Sequence, residues 1–234
     1  TEIYTLSLHD ALPISVIGVG KYPVNPYSLA PAAIRAGLFY SADAVYKFWG
    51  FCMTCQQGIL IEPVPPVARH VFYTLGEAAD LPRALKALTE LVDGTDTIAG
   101  LGISVLQALG QSLEPLRAFP ALSNQGIDVP STQQALWLWL RGEDRGELLY
   151  RTMQLEKVLA PAFRPVQVTE AFRYLSGHDL TGYEDGTENP VDDEAVEVVT
   201  AKGAEGGSYA AVQHWEHDLE YFKSLPQPDQ DHII

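Results

Sequence analysis

The regular pattern of apolar and polar positions begins after Met53 and alternates between strand-like and helix-like stretches. Residues 69–75, RHVFYTL, are β-branched and aromatic and end at Gly76, which is typical of a strand. A helix is predicted next, because apolar side chains recur on one helical face at Leu81, Leu85, Leu88 and Val92. Residues 97–105 then predict a second strand.

The same order recurs later in the chain. Residues 135–140 predict a strand. A helix is predicted next, ending before Pro161, because Leu148, Thr152, Leu155 and Leu159 recur at helical spacing. Residues 166–174 and 209–215 predict two further strands. The order strand, helix, strand occurs twice, which predicts an α+β fold made of two ferredoxin-like halves. In this fold, of the dimeric α+β barrel type, helices pack on the outside of antiparallel sheets. We expect the halves at residues 53–130 and 131–234, with the second half incomplete.

The first 52 residues differ from the rest. Residues 1–15, TEIYTLSLHDALPIS, resemble the conceptual translation of a sequencing adaptor, and residues 16–52 show no sustained periodicity. Our hypothesis is that Met53 is the true start and that residues 1–52 are adaptor and upstream nucleotides read in frame. A genuine, irregular N-terminal arm is the alternative.

Composition and charge exclude some classes of binding partner. Thirty acidic and fifteen basic residues give a net charge of −15, which disfavours nucleic acid and anionic membrane surfaces. No stretch reaches the roughly 18–20 apolar residues that span a bilayer, so we expect a cytoplasmic protein without a membrane partner. Cys52 and Cys55 form a lone CxxC. Two unrelated thiols explain this pair better than a redox site or half a zinc site.

The segment with candidate chemistry is residues 177–190, GHDLTGYEDGTENP, centred on Gly182-x-x-Asp185-Gly186. Glycines on both sides allow the backbone to turn sharply and to approach a flat ligand, with the carboxylate at the ligand's edge. On composition alone, an ordinary Asp-Gly turn with solvated acids around it is the better explanation. Composition alone therefore does not assign a function to this segment.

Two ordered blocks resemble those of one enzyme family. GYEDGTENP is similar to the GxxDG signature of the dye-decolorising haem peroxidases, and residues 206–219, GGSYAAVQHWEHDL, followed by DQDHII at 229–234, resemble the next block of that family. The turn at residues 100–104 resembles the family weakly. The likeness covers about residues 53–234 and is greatest to the compact, cytoplasmic bacterial subgroup.

The resemblance implies a haem b cofactor with its iron, hydrogen peroxide as substrate, and dyes or phenolic compounds as the organic reductant. Asp185 would be the catalytic acid–base residue, moving a proton from one oxygen of the peroxide to the other so that water leaves. A carboxylate with a reference pKa of about 3.9 stays largely ionised near pH 5, which implies an acidic optimum. The residues that the resemblance assigns to haem contact are Gly182, Glu184, Gly186, Thr187, Glu188 and Asn189.

The resemblance also implies that the proximal histidine and the distal arginine lie beyond residue 234. We therefore expect the 234-residue chain to bind haem poorly and to be inactive alone. None of the six histidines matches the ligand position, and His214 stands where many relatives carry arginine. Assembly as a homo-oligomer and packaging as nanocompartment cargo are left open.

Two alternative functions compete with that of a peroxidase. A non-catalytic module of the dimeric α+β barrel type, binding a ligand or partner through its sheet, is the main alternative. A chlorite-dismutase relative is disfavoured by the GxxDG block. Trp137 and Trp139 lie two residues apart in one predicted strand, so their side chains should lie on the same face of it. This pattern is consistent both with electron transfer to substrates at the surface and with simple core packing.

Overall fold

The structure is a computed structural model. It describes residues 2–4, 15–16, 63–112, 116, 118, 120–124, 127–184, 189–199, 208–210, 212–215 and 218–234. Its strands are β1 (Glu2–Tyr4), β2 (Ser15–Val16), β3 (Val67–Leu75), β4 (Thr97–Leu101), β5 (Leu122–Asn124), β6 (Ile127–Val129), β7 (Leu136–Gly142), β8 (Phe163–Phe172), β9 (Ser208–Tyr209) and β10 (Gln213–Trp215). Its helices are α1 (Leu81–Leu88), α2 (Ile103–Ala108), α3 (Arg145–Leu159), α4 (Asp192–Val199), α5 (Leu219–Ser224) and α6 (Gln227–Ile233).

Within the described ranges, the largest sheet has the strand order β8-β3-β7-β4-β2-β9, and its pairs are antiparallel. Strands β3, β4, β7 and β8, with α1 after β3 and α3 after β7, follow the order strand, helix, strand, strand, helix, strand of a ferredoxin-like unit. The α+β, ferredoxin-like prediction is confirmed.

The two strand–helix–strand stretches share this one sheet. Strand β7 lies between β3 and β4, and β3 pairs with β8 on its other side. The boundary that the sequence predicts between residues 130 and 131 therefore lies inside one ferredoxin-like unit. Strand β3 of the first stretch pairs along its length with β7 and β8 of the second stretch. The periodicity of a single strand does not indicate which other strands it pairs with, so the sequence could not predict this arrangement.

The main core lies between the sheet and the helices. Leu136, Leu138 and Leu140 alternate along β7 and are fully buried on the helix-covered face. The helices supply a matching set of buried side chains, including Leu81, Leu85, Leu88, Leu148, Leu155 and Leu159. The predicted stripe on α3 is thus confirmed, and so is the stripe on α1 for Leu81, Leu85 and Leu88; Val92 is buried as predicted but lies after the end of α1. Asp144 caps the N-terminus of α3, where its side chain accepts a hydrogen bond of 2.8 Å from the Glu147 amide.

The strand predicted over residues 97–105 ends earlier, at Leu101, and α2 follows. Gly102 explains the turn, because its amide donates to the Ala135 carbonyl at 2.9 Å and a Cβ there would lie 1.9 Å from the Gln134 oxygen. The prediction of a continuous strand there was wrong, since apolar residues at a strand end and in a short buried helix have the same pattern.

The stretch predicted as one strand over residues 209–215 forms two short ones. Strand β9 pairs with β2 at the edge of the large sheet, whereas β10 pairs with β1 in a separate sheet. Residues 2–4 and 15–16 thus pair with the rest of the chain, while residues 17–62 lie outside the described residues. Whether residues 1–52 are read-through stays a prediction.

Candidate functional site

The motif singled out from the sequence follows β8 in a tightly folded loop. His178 forms isolated β-bridges with Tyr174 and Glu184, which fold the loop back on itself. The Asp179 carboxylate accepts a hydrogen bond of 2.7 Å from the Thr181 amide, and the Asp179 carbonyl accepts one of 3.1 Å from Gly182. Gly182 has a φ of +98°, a conformation that favours glycine. The first glycine of the motif is therefore required by the turn itself.

The loop leaves one open side at Gly182. Among the described residues, no heavy atom would lie within 4 Å of a Cβ built on Gly182, and Gly182, Glu184 and Asn189 are all exposed. The remaining predicted site residues, Asp185, Gly186, Thr187 and Glu188, lie outside the described residues. Of the predicted set, the structure thus brings Gly182 and Glu184 together in one turn, and Asn189 lies five residues after Glu184 in the chain.

Tyr183 joins the loop to the last helix. Its hydroxyl donates a hydrogen bond of 2.5 Å to Asp231, and Gln227 donates to both of these groups at 2.8 and 2.7 Å. The Tyr183 ring packs edge-on against Phe222, with ring centroids 6.0 Å apart. The bond to Asp231 raises the pKa of Tyr183 and lowers the pKa of Asp231. No local pattern in the sequence signals this cluster, because Tyr183 lies 44 residues before Gln227 and 48 residues before Asp231.

A second group of polar and aromatic side chains lies on the sheet face opposite the helices. Trp137 and Trp139 stack on each other and on His70, with ring centroids 5.6 to 6.2 Å apart. The Trp137 indole donates a hydrogen bond of 3.1 Å from Nε1 to Nδ1 of His70. Burial lowers the pKa of His70 to about 4, so the imidazole is neutral at physiological pH. The prediction that the two tryptophans share a face is confirmed.

The described residues contain no cluster of three or more metal-ligating side chains. His178 lies with Nδ1 3.3 Å from the Ser176 hydroxyl, and His232 is exposed near the end of α6. His9, His217 and the Cys52–Cys55 pair fall outside the described ranges, as does the side chain of His214. Among the helices in the described ranges, none combines the length and the apolar character that a bilayer crossing requires.

Comparisons with known proteins agree with the resemblance of the motif. The family model described as "Dyp-type peroxidase, C-terminal" matches residues 176–234, which include the complete motif. A dye-decolorizing peroxidase of Brevibacterium linens is 29% identical over 164 residues, covering 67% of this chain and 44% of that protein. One from Mycolicibacterium paratuberculosis is 29% identical over 194 residues, covering 75% of this chain and 54% of that protein.

Solved structures show a similar fold. A dye-decolorizing peroxidase from Bacteroides thetaiotaomicron is 23% identical with a TM-score of 0.58, covering 75% of this chain and 63% of that one. A dye-decolorizing protein from V. cholerae is 22% identical with a TM-score of 0.58, covering 76% of this chain and 65% of that one. The chain spans about half the length of the curated relatives it matches. Residues 176–234 thus match a family model of dye-decolorising peroxidases, proteins of that family are related to this chain at 29% identity, and solved structures of such peroxidases share its fold.

Proposed function

We propose that the protein is a haem b-dependent peroxidase that reduces hydrogen peroxide and oxidises dyes or phenolic compounds. The observation that carries the proposal is the family-model match across residues 176–234, because it contains the GxxDG motif and the residues that follow it in order. The relatives named dye-decolorizing peroxidase support the same assignment.

We propose that haem approaches the loop at Gly182, where no described heavy atom would lie within 4 Å of a Cβ. The neighbouring Tyr183 is held to α6 by the hydrogen bond from its hydroxyl to Asp231. The residues proposed to contact the haem are Gly182, Glu184, Gly186, Thr187, Glu188 and Asn189. His70 is not the proposed axial ligand, because its Nδ1 accepts a hydrogen bond from Trp137. We propose that the axial histidine lies outside the described residues.

Haem, when bound, would supply the redox chemistry of the reaction. Asp185 is the proposed proton carrier, accepting a proton from one peroxide oxygen and delivering it to the other. An aspartate, with a reference pKa of about 3.9, is still largely ionised at mildly acidic pH and can accept a proton there. A histidine, with a pKa near 6.5, would already be protonated and could not. The acidic optimum predicted from the sequence follows from this choice of residue.

The finer parts of the proposal concern location and assembly. The charge of −15 supports a protein that stays away from nucleic acid and anionic membranes. A cytoplasmic location, homo-oligomerisation and packaging into a nanocompartment stay predictions, and cell fractionation with size-exclusion chromatography would test them.

The test is expression of the complete gene and of the 234-residue chain, each with haem supplied. We expect the product of the complete gene to give a sharp Soret band and to turn over a dye with hydrogen peroxide, while the 234-residue chain does so weakly or not at all. A product of the complete gene that neither binds haem nor turns over dye would overturn the proposal. That result would favour a non-catalytic module of the dimeric α+β barrel type.

A further inference from the structure

Trp137 and Trp139 lie two residues apart on the same face of β7, yet their surroundings differ. The Trp137 Nε1 has a base as its hydrogen-bond acceptor, the Nδ1 of His70 at 3.1 Å. The Trp139 Nε1 is buried and has no acceptor among the described residues. Instead, the Arg141 guanidinium lies over the Trp139 ring, 5.1 Å from its centroid. One indole therefore has a proton acceptor and the other has a neighbouring cation.

This difference matters if an electron is removed from either ring. Loss of an electron makes an indole positively charged and its N–H strongly acidic. At Trp139 that charge would form beside the Arg141 cation in a partly buried site, where repulsion between like charges is weakly screened. At Trp137 the Nε1 proton can pass to Nδ1 of His70, which leaves a neutral indole radical. The geometry thus favours oxidation at Trp137 over oxidation at Trp139.

We propose that the His70–Trp137 pair is a one-electron oxidation site in which electron loss from the indole is coupled to proton transfer to the imidazole. The electron passes to a high-potential one-electron oxidant, the Nε1–H bond of Trp137 breaks, and a new N–H bond forms at His70 Nδ1. The products are a neutral tryptophanyl radical and an imidazolium. A one-electron reductant, such as a phenolic compound, reverses both transfers and restores the pair.

The surroundings of His70 suit it to this role. Its side chain is only 5% exposed and it stacks on both tryptophans, with ring planes 4° from that of Trp137, so its Nδ1 is held toward the indole. Burial lowers the pKa of His70 to about 4, so the imidazole is neutral before oxidation and its Nδ1 lone pair can accept a hydrogen bond. Because the same burial disfavours the imidazolium, the proton is transferred only when the donor is the much more acidic oxidised indole. If the proposed function holds, the physiological oxidant would be the haem centre, and only that identification rests on the proposed function.

The experiment needs no haem. A photogenerated ruthenium(III) tris-bipyridine complex would oxidise the protein in a laser flash-quench measurement, and transient absorption would distinguish the neutral tryptophanyl radical from the radical cation. Trp49 and Trp215 are replaced by Phe, so that Trp137 and Trp139 are the only tryptophans left. Circular dichroism and the flash-quench signal of the four-tryptophan protein provide the reference for correct folding.

In this background we expect a neutral radical whose formation is slower in deuterium oxide. Trp137→Phe should remove most of the signal, and the matched Trp139→Phe should leave it. His70→Gln retains a hydrogen-bond acceptor but not a base, so the radical cation should persist instead. An unchanged neutral radical in His70→Gln, or loss of the signal in Trp139→Phe but not in Trp137→Phe, would overturn the proposal. Because the oxidant is added, this outcome is separate from any failure of the peroxidase assignment.

Discussion

The Tyr183 hydroxyl donates a hydrogen bond to Asp231, a residue 48 positions further along the chain. Tyr183 lies inside the GxxDG segment, two residues before Asp185, and Asp231 lies on α6. This bond and the Gln227 contacts connect the candidate site to the last helix of the described structure. The position of the loop therefore depends on residues that are distant in sequence.

The titration of Asp231 tests this connection. Its pKa is lowered first by the bond from Tyr183 and then by the bond from Gln227. Tyr183→Phe should raise the Asp231 pKa toward its ordinary range, as followed by the carboxyl carbon signal in NMR. A carboxyl whose pKa is lowered by folding stabilises the fold above the usual aspartate pKa, and this stabilisation is lost as pH falls through the lowered value. The variant should therefore lose less stability in acid than the wild type does. Tyr221→Phe, on the exposed side of α5, should leave the Asp231 titration unchanged.

His70 predicts a second pH dependence. Its pKa is about 4 in the fold and about 6.5 in the unfolded chain, so between these values the unfolded state binds the extra proton. The stability that depends on neutral His70 is complete above about pH 6.5 and decreases as pH falls toward 4, by about 3 kcal/mol at most. Urea unfolding at pH 7 and pH 4.5 would measure this change. In His70→Phe the change should be much smaller, while the exposed His232→Gln variant should behave like the wild type.

The sequence predicted those parts of the fold that depend on local periodicity. The stripe on α3 and the alternation of Trp137 and Trp139 were both correct, because each is set by the geometry of a single element. The pairing of β7 between β3 and β4, and the bond from Tyr183 to Asp231, were not predictable in this way. Both depend on contacts between distant segments. His70 lies in a predicted strand, but its hydrogen bond to Trp137 becomes visible only when β3 and β7 are aligned.

Core packing along α3 gives a direct stability prediction. Leu148 is fully buried beneath the sheet, whereas the adjacent Leu149 is 47% exposed. Leu148→Ala should lower the free energy of unfolding by about 2–5 kcal/mol through lost burial and a residual cavity. Leu149→Ala should change it by less than about 1 kcal/mol. Chemical denaturation of both variants would show whether the predicted helical stripe carries the packing, and equal effects would contradict it.

Arg141 should also contribute to stability through its hydrogen bonds. It is 4% exposed and donates to the carbonyls of Thr95 at 3.2 Å and Pro63 at 2.5 Å. Arg141→Met removes these hydrogen bonds of a buried, charged donor and should cost about 1.5–3 kcal/mol of unfolding free energy. Arg164→Met is the matched control, because Arg164 is exposed and its ion pair with Glu77 is 3.6 Å long. A comparable loss in both variants would mean that burial of Arg141 is not what matters.

The most direct test of the peroxidase assignment is the rate constant for reaction with hydrogen peroxide, measured by stopped flow on the haem-loaded product of the complete gene. Asp185→Asn should lower this rate constant by about 100-fold or more, with the Soret band of the resting protein unchanged. Asp193→Asn, in the exposed first turn of α4, should have no effect. Equal rate constants for the wild type and Asp185→Asn would contradict the account.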